Sequence, residues 1–236
     1  MAKVMTKPLS VREQVSTEEW QIRVDLAAAY RLVHHYGWTD MIFTHLSARI
    51  PGPEHHFLIN PYGLHYSEVT ASNLVKVDID GNIMEDTEYT VNPAGILIHT
   101  AVHGAREDVQ CITHTHTDAG MAVACSTGGL RTDNFYSALL QNRVAYHDFE
   151  GLTVLDDEKP RLIANIGNKN LLILRNHGLL TCGRSIPEAF YNMWALQRSC
   201  EVQVACDATG KNIIPVSDEI LAKAEQLMTI QSAGTP

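Results

Sequence analysis

Trp20, Val24, Leu26, Ala27, Tyr30 and Val33 recur at the three- and four-residue spacing of a helix face. Ser16 and Glu19 precede them in the Ser-x-x-Glu pattern of a helix start, and Gly37 supplies a stop. The apolar runs then shorten to strand length. "DMIFTHLSARI", "FLINP" and "LVKVDI" are divided by turn residues, with Asp80-Gly81 after the third, and predict an antiparallel meander. "PAGILIHTAVHGAREDV" returns to helical spacing, "VQCITHTHT" is strand-like, and "AGMAVACSTGG" is a small-residue helix closed by glycines. "RVAYHDF" and "LLILRNHGLLTCG" supply two more strands, with a short helix in "EKPRLIANIGN" between them. Ser185 and Glu188 open the longest helix, which runs to about Gly210.

Strands and helices alternate irregularly, which predicts an α/β fold: a single domain with a mostly antiparallel central β-sheet flanked by helices. The expected boundaries are an N-terminal lead over 1–15, the domain over 16–212, and a tail over 213–236 carrying a short helix in "SDEILAKAEQLM". A hydrophobic content of 45% in 236 residues is enough for a sizeable core. The net charge of -9, without basic runs, argues against a nucleic-acid partner. No run approaches the roughly 18 apolar residues of a membrane span, and "MAKVMTKPLS" lacks the apolar core of a signal peptide, so the expected location is cytoplasmic. The five cysteines are irregularly spaced without CxxC, and read as buried small hydrophobes.

Histidine carries the chemistry. His114 and His116 lie at i and i+2 of a predicted strand, so their side chains project from one face and can chelate a divalent metal. The same pair can equally be two packed histidines. A third candidate, His177, follows four apolar residues at the end of a predicted strand, where α/β sheets form their sites, and a backbone-bonded buried histidine fits there equally. His99 and His103, one helical turn apart in an apolar segment, read as core or supporting histidines. His34, His35, His55 and His56 fall at a helix end or turn and read as solvated.

"HTHT", "RNHGLL", "THLSAR", "LINPYGLHY" and "NPAGILIHTAVHGAREDV" together resemble the class II aldolase/adducin family over roughly residues 20–208. The resemblance implies a three-layer fold, a homotetramer with sites between subunits, and a divalent metal held by His114, His116 and His177. Zinc is the expected metal, with Fe(II), Mn or Co as alternatives. It places Tyr136 near a tyrosine that donates a proton in a neighbouring subunit's site. The chain departs from the sugar-phosphate aldolases in three ways. Gly95, nineteen positions before His114, stands where they carry an acid–base glutamate; Pro93 and Ala94 replace phosphate-binding serines; and His45 replaces an asparagine. His45 becomes the candidate proton-transfer group, since an imidazole titrates near neutrality.

The expected function is a metal-dependent lyase, cleaving by retro-aldol or decarboxylation through a metal-stabilised enolate. Its expected partner is a small non-phosphorylated carbonyl or hydroxy-acid substrate. The alternatives are a non-haem iron(II) oxygenase of aryl hydroxy or keto acids and a non-catalytic adducin-like interaction domain.

Overall fold

The computed structural model describes residues 9–152 and 155–234. Seven strands form one sheet: β1 (His45–Arg49), β2 (Phe57–Ile59), β3 (Val75–Val77), β4 (Cys111–Thr115), β5 (Val144–His147), β6 (Leu171–Leu174) and β7 (Gly178–Gly183). Their spatial order is β3-β2-β1-β4-β7-β6-β5. Every pairing is antiparallel except β5 with β6, and β1–β2–β3 is the predicted meander.

Around the sheet lie α1 (Val11–Gln14), α2 (Thr17–His35), α3 (Pro93–Ala105), α4 (Asp118–Ala124), α5 (Phe135–Ala138), α6 (Lys159–Ile166), α7 (Ile186–Ala208) and α8 (Asp218–Gly234). Period-2 alternation divides the strands between two cores. Leu46, Ala48, Cys111, Ile173 and Leu179 pack towards α2 and α7, while Ile112, Leu172, Leu174 and Leu180 pack towards α3 and α6. The result is three layers with the sheet in the middle. No described helix is long and apolar enough to cross a membrane.

The structure departs from the sequence pattern at several points. "LLILRNHGLLTCG" is two strands joined by a tight turn, with Asn176 at φ +56°. His177 therefore sits in that turn and donates its N–H to the Leu174 carbonyl at 3.1 Å. The α8 helix is longer than the expected short helix, and residues 11–14 of the presumed lead form one helical turn. Cys111, Cys182 and Cys200 are buried, but Cys125 is exposed and Cys206 half-exposed, because both lie at helix ends away from the core.

On α2, Val24 faces solvent and Arg23 is wholly buried. Ser16 accepts the Glu19 N–H at 3.0 Å, as its pattern predicts. The Glu19 carboxylate does not return to the cap. It binds Arg23 Nε at 2.9 Å and Lys76 Nζ at 2.6 Å. Arg23 also reaches Glu85 at 2.7 Å and the Leu74 carbonyl at 2.8 Å, tying α2 to β3 and the segment after it. Substituting Arg23→Met leaves the buried Glu19 carboxylate with Lys76 alone, which costs up to about 3–5 kcal/mol. The expected outcome is a lower urea midpoint at constant m-value.

Candidate metal centre

β4 brings His114 to the sheet centre, opposite His45 of β1 and Leu180 of β7. His116 lies just past the end of β4, and His177 just before β7. The β4–β7 pairing therefore gathers all three histidines. One ligand atom from each lies within 4.8 Å of the other two. Gly178 permits this approach, because a Cβ there would stand 2.5 Å from the Thr115 carbonyl and 3.0 Å from the His116 ring.

The hydrogen bonds fix the protons. His114 Nδ1 is 2.9 Å from the Leu179 carbonyl, which only accepts, so Nδ1 carries the proton and Nε2 the lone pair. His116 Nδ1 is 3.2 Å from Asp40 Oδ2, with the same consequence. The two Nε2 atoms stand 2.8 Å apart. Two bare nitrogens at that separation repel unless a cation lies between them. The donor set thus fits a divalent metal held by neutral imidazoles with their Nδ1 atoms anchored.

Burial, with the neighbouring His116 and His177, holds the His114 pKa well below its ordinary value. Burial, then His116 and His147, lowers His177 to about 4. Burial lowers His116 as well, against the raising effect of Asp40. All three are neutral at pH 7, as metal ligands must be.

The cluster opens into a cavity of about 390 Å³. Phe43, Tyr62, Pro93, Ala94, Phe149 and Leu152 contribute its walls, and no lysine or arginine is among the described lining residues. His45 lines it too, with its ring 4.9 Å from that of His114. Burial, followed by His99, His116 and His177, keeps His45 neutral. Tyr136 is elsewhere: its ring meets Trp194 edge-on at 5.6 Å and lies under the Arg198 guanidinium. The structure brings His45 to the cluster and leaves Tyr136 outside this chain's cavity.

Gly95 opens α3 directly against His45. A Cβ there would stand 2.5 Å from His45 Cδ2 and 2.8 Å from Nε2. The space a glutamate side chain would enter is filled by the imidazole. Asp40, which anchors His116, was not singled out by sequence reasoning; it is remote in sequence and carries no motif. His99 and His103 are buried behind His45.

The family model described as class II aldolase and adducin N-terminal domain matches residues 24–204. The chain belongs to this family. It is 51% identical over 228 residues to a Pseudomonas aeruginosa protein provisionally named a class 2 aldolase protein, covering 97% of this chain and 88% of that one. It is 43% identical over 220 residues to rat alpha-adducin, covering 91% of this chain and 29% of adducin. The solved L-fuculose 1-phosphate aldolase from Glaciozyma antarctica superposes with a TM-score of 0.79 at 30% identity, over 94% of this chain and 85% of that one. The fold is that of the class II aldolases.

Two outcomes follow. Gly95→Ala overpacks the His45 contact and costs about 1–3 kcal/mol, read as a lowered melting temperature. His99 is held well below 6.5 and His103 at about 3, chiefly by burial. Between about pH 3 and 6.5 the unfolded chain binds more protons than the folded one, so stability is fully present above about pH 6.5 and falls with acid. The slope is about 1.4 kcal/mol per pH unit for each histidine kept neutral, measurable by urea unfolding at about pH 5 and pH 7.

Proposed function

We propose that this protein is a divalent-metal-dependent carbon–carbon lyase acting on a non-phosphorylated carbonyl or hydroxy-acid substrate. The observation that carries the reading is the convergence of the His114 and His116 Nε2 lone pairs, 2.8 Å apart with both Nδ1 atoms anchored, beside His177. His114, His116 and His177 would hold the metal. When bound, it polarises a substrate carbonyl or hydroxy-acid group and stabilises negative charge at the adjacent carbon. Asp40 and the Leu179 carbonyl keep the ligands oriented. His45, neutral and at the cavity wall, exchanges the proton. The apolar walls keep water from the reacting carbon. Tyr136 reaches a site only in a neighbouring copy, as the homotetramer implied by the resemblance would arrange.

The preference for a substrate without phosphate rests on the start of α3. Pro93 has no N–H, Ala94 gives its own to Asn92 Oδ1 at 3.1 Å, and Ile96 gives its own to the Asn92 carbonyl at 2.9 Å. At Pro93 and Ala94 the donors that make a helix N-terminus an anion site are absent or occupied. The cavity lining offers no described cation in their place.

The similarity to alpha-adducin favours a second reading, a non-catalytic interaction domain. The intact histidine cluster weighs against it.

Metal analysis of the purified protein tests both. The lyase reading expects near-stoichiometric divalent metal, lost in His177→Ala. Asp40→Ala should weaken metal affinity roughly 10–100-fold. Metal well below stoichiometric, with affinity unchanged in His177→Ala, would favour the interaction domain. The metal-loaded protein is then offered sugar phosphates and non-phosphorylated hydroxy and keto acids, with and without oxygen. Oxygen-independent cleavage of an acid supports the proposal. Efficient cleavage of a sugar phosphate removes the substrate assignment, and turnover that consumes O2 points to the iron oxygenase.

A further inference from the structure

Ser47, His99 and His103 are buried polar residues with no part in the chemistry above. Strand β1 alternates, so His45, Ser47 and Arg49 share a face, and that face is covered by α3. From α3, His99 and His103 meet it one helical turn apart. The four groups form one hydrogen-bonded file. His45 Nδ1 is 2.7 Å from His99 Nε2, His99 Nδ1 contacts Ser47 Oγ, and Ser47 Oγ is 2.8 Å from His103 Nε2.

The direction of the file is set at its far end. His103 Nδ1 has no hydrogen-bond partner among the described residues; the ring interacts with the Val109 carbonyl, which can only accept, and since Nε2 is taken by Ser47 we place the proton on Nδ1. His103 Nε2 then accepts from the Ser47 hydroxyl, Ser47 Oγ accepts from His99 Nδ1–H, and His99 Nε2 accepts from His45 Nδ1–H. His45 Nε2 is left bare, next to Gly95 at the cavity wall. Arg49 closes the outer end, donating to the His103 carbonyl at 2.6 Å and the Val109 carbonyl at 3.3 Å. Its charge opposes a surplus proton on His103. The file therefore leads to no proton sink, and it orients rather than conducts. Three apolar side chains would fill this space without the cost of desolvation, but they could not select one tautomer of His45.

We propose that Ser47, His99 and His103 are positioning residues that hold His45 as its Nδ1-protonated tautomer, its Nε2 lone pair turned to the cavity. The file thereby supplies the oriented proton acceptor that Gly95 cannot. This rests on the reading of His45 as the proton-transfer group in the proposed function.

The test is tautomer spectroscopy of the full chain labelled with 15N-histidine, metal-free and zinc-loaded, at neutral pH. Two-bond 1H–15N spectra separate protonated from bare ring nitrogens, and loss of a set in His45→Gln assigns His45. The expected result is a single His45 set with Nδ1 protonated and Nε2 bare. In His99→Leu and Ser47→Ala that set moves towards the other tautomer or becomes a mixture, with zinc uptake unchanged. His99→Gln, whose amide oxygen accepts the same proton, restores it. Ser47→Ala removes only a hydroxyl and covers the case in which His99→Leu does not fold. A wild-type His45 protonated at Nε2, or a His45 set unchanged in the folded variants, would overturn the proposal. Failure of the metal reading is separate: the wild type would take up no zinc, while the tautomer is still read in the metal-free protein.

Discussion

His114 lies on the central strand β4 and donates Nδ1–H to the Leu179 carbonyl of β7, 2.9 Å away. That bond exists only in one register, in which His114 faces Leu180 and Thr115 faces Leu179. A slip of one residue would turn His114 to the α7 side and carry Thr115 into the cavity, since strand side chains alternate strictly. The same pairing carries His177, which precedes β7, up to His116, which follows β4. Sheet register and the geometry of the histidine cluster are therefore a single constraint, enforced by the apolar residues Ile112, Leu180 and Cys182 that pack beneath α3 and α6.

Two buried polar networks join elements around this centre. One group, Arg23 with Glu19, Glu85 and Lys76, clamps α2 to the meander. The other, from His45 to Arg49, occupies the seam between β1 and α3. Both bury groups that water would otherwise solvate, and both recover the loss through several partners at once. They differ in charge. The clamp pairs opposite charges, whereas the seam keeps its histidines neutral and places its one cation at the far end from the cavity.

Most of the element order is legible in the residues. Period-2 and period-3.6 patterns mark the meander, α2, α3 and α7, and Ser16 and Ser185 accept at their caps as the pattern says. The hairpin within "LLILRNHGLLTCG" is not marked, because its turn carries no Gly-Pro or Asn-Gly signal and relies on Asn176 tolerating a positive φ. The His114/His116 pair follows from strand geometry. Its third member follows from a resemblance, since a turn histidine has no periodicity to betray it. Asp40 and the seam were harder still. The alternation His45-Leu46-Ser47-Ala48-Arg49 normally describes a strand with one wet face, and nothing local tells that α3 covers it.

The contact between Gly95 and His45 also constrains how such a site can change. Any side chain at 95 enters the imidazole, and an asparagine at 45 would leave the His99 nitrogen facing a smaller group. Neither position can move towards the carboxylate-bearing arrangement alone without passing through a poorly packed intermediate. Residues in direct contact couple by about 0.5–3 kcal/mol. The two positions thus form one epistatic unit, and a change at either has to be matched by a change at the other.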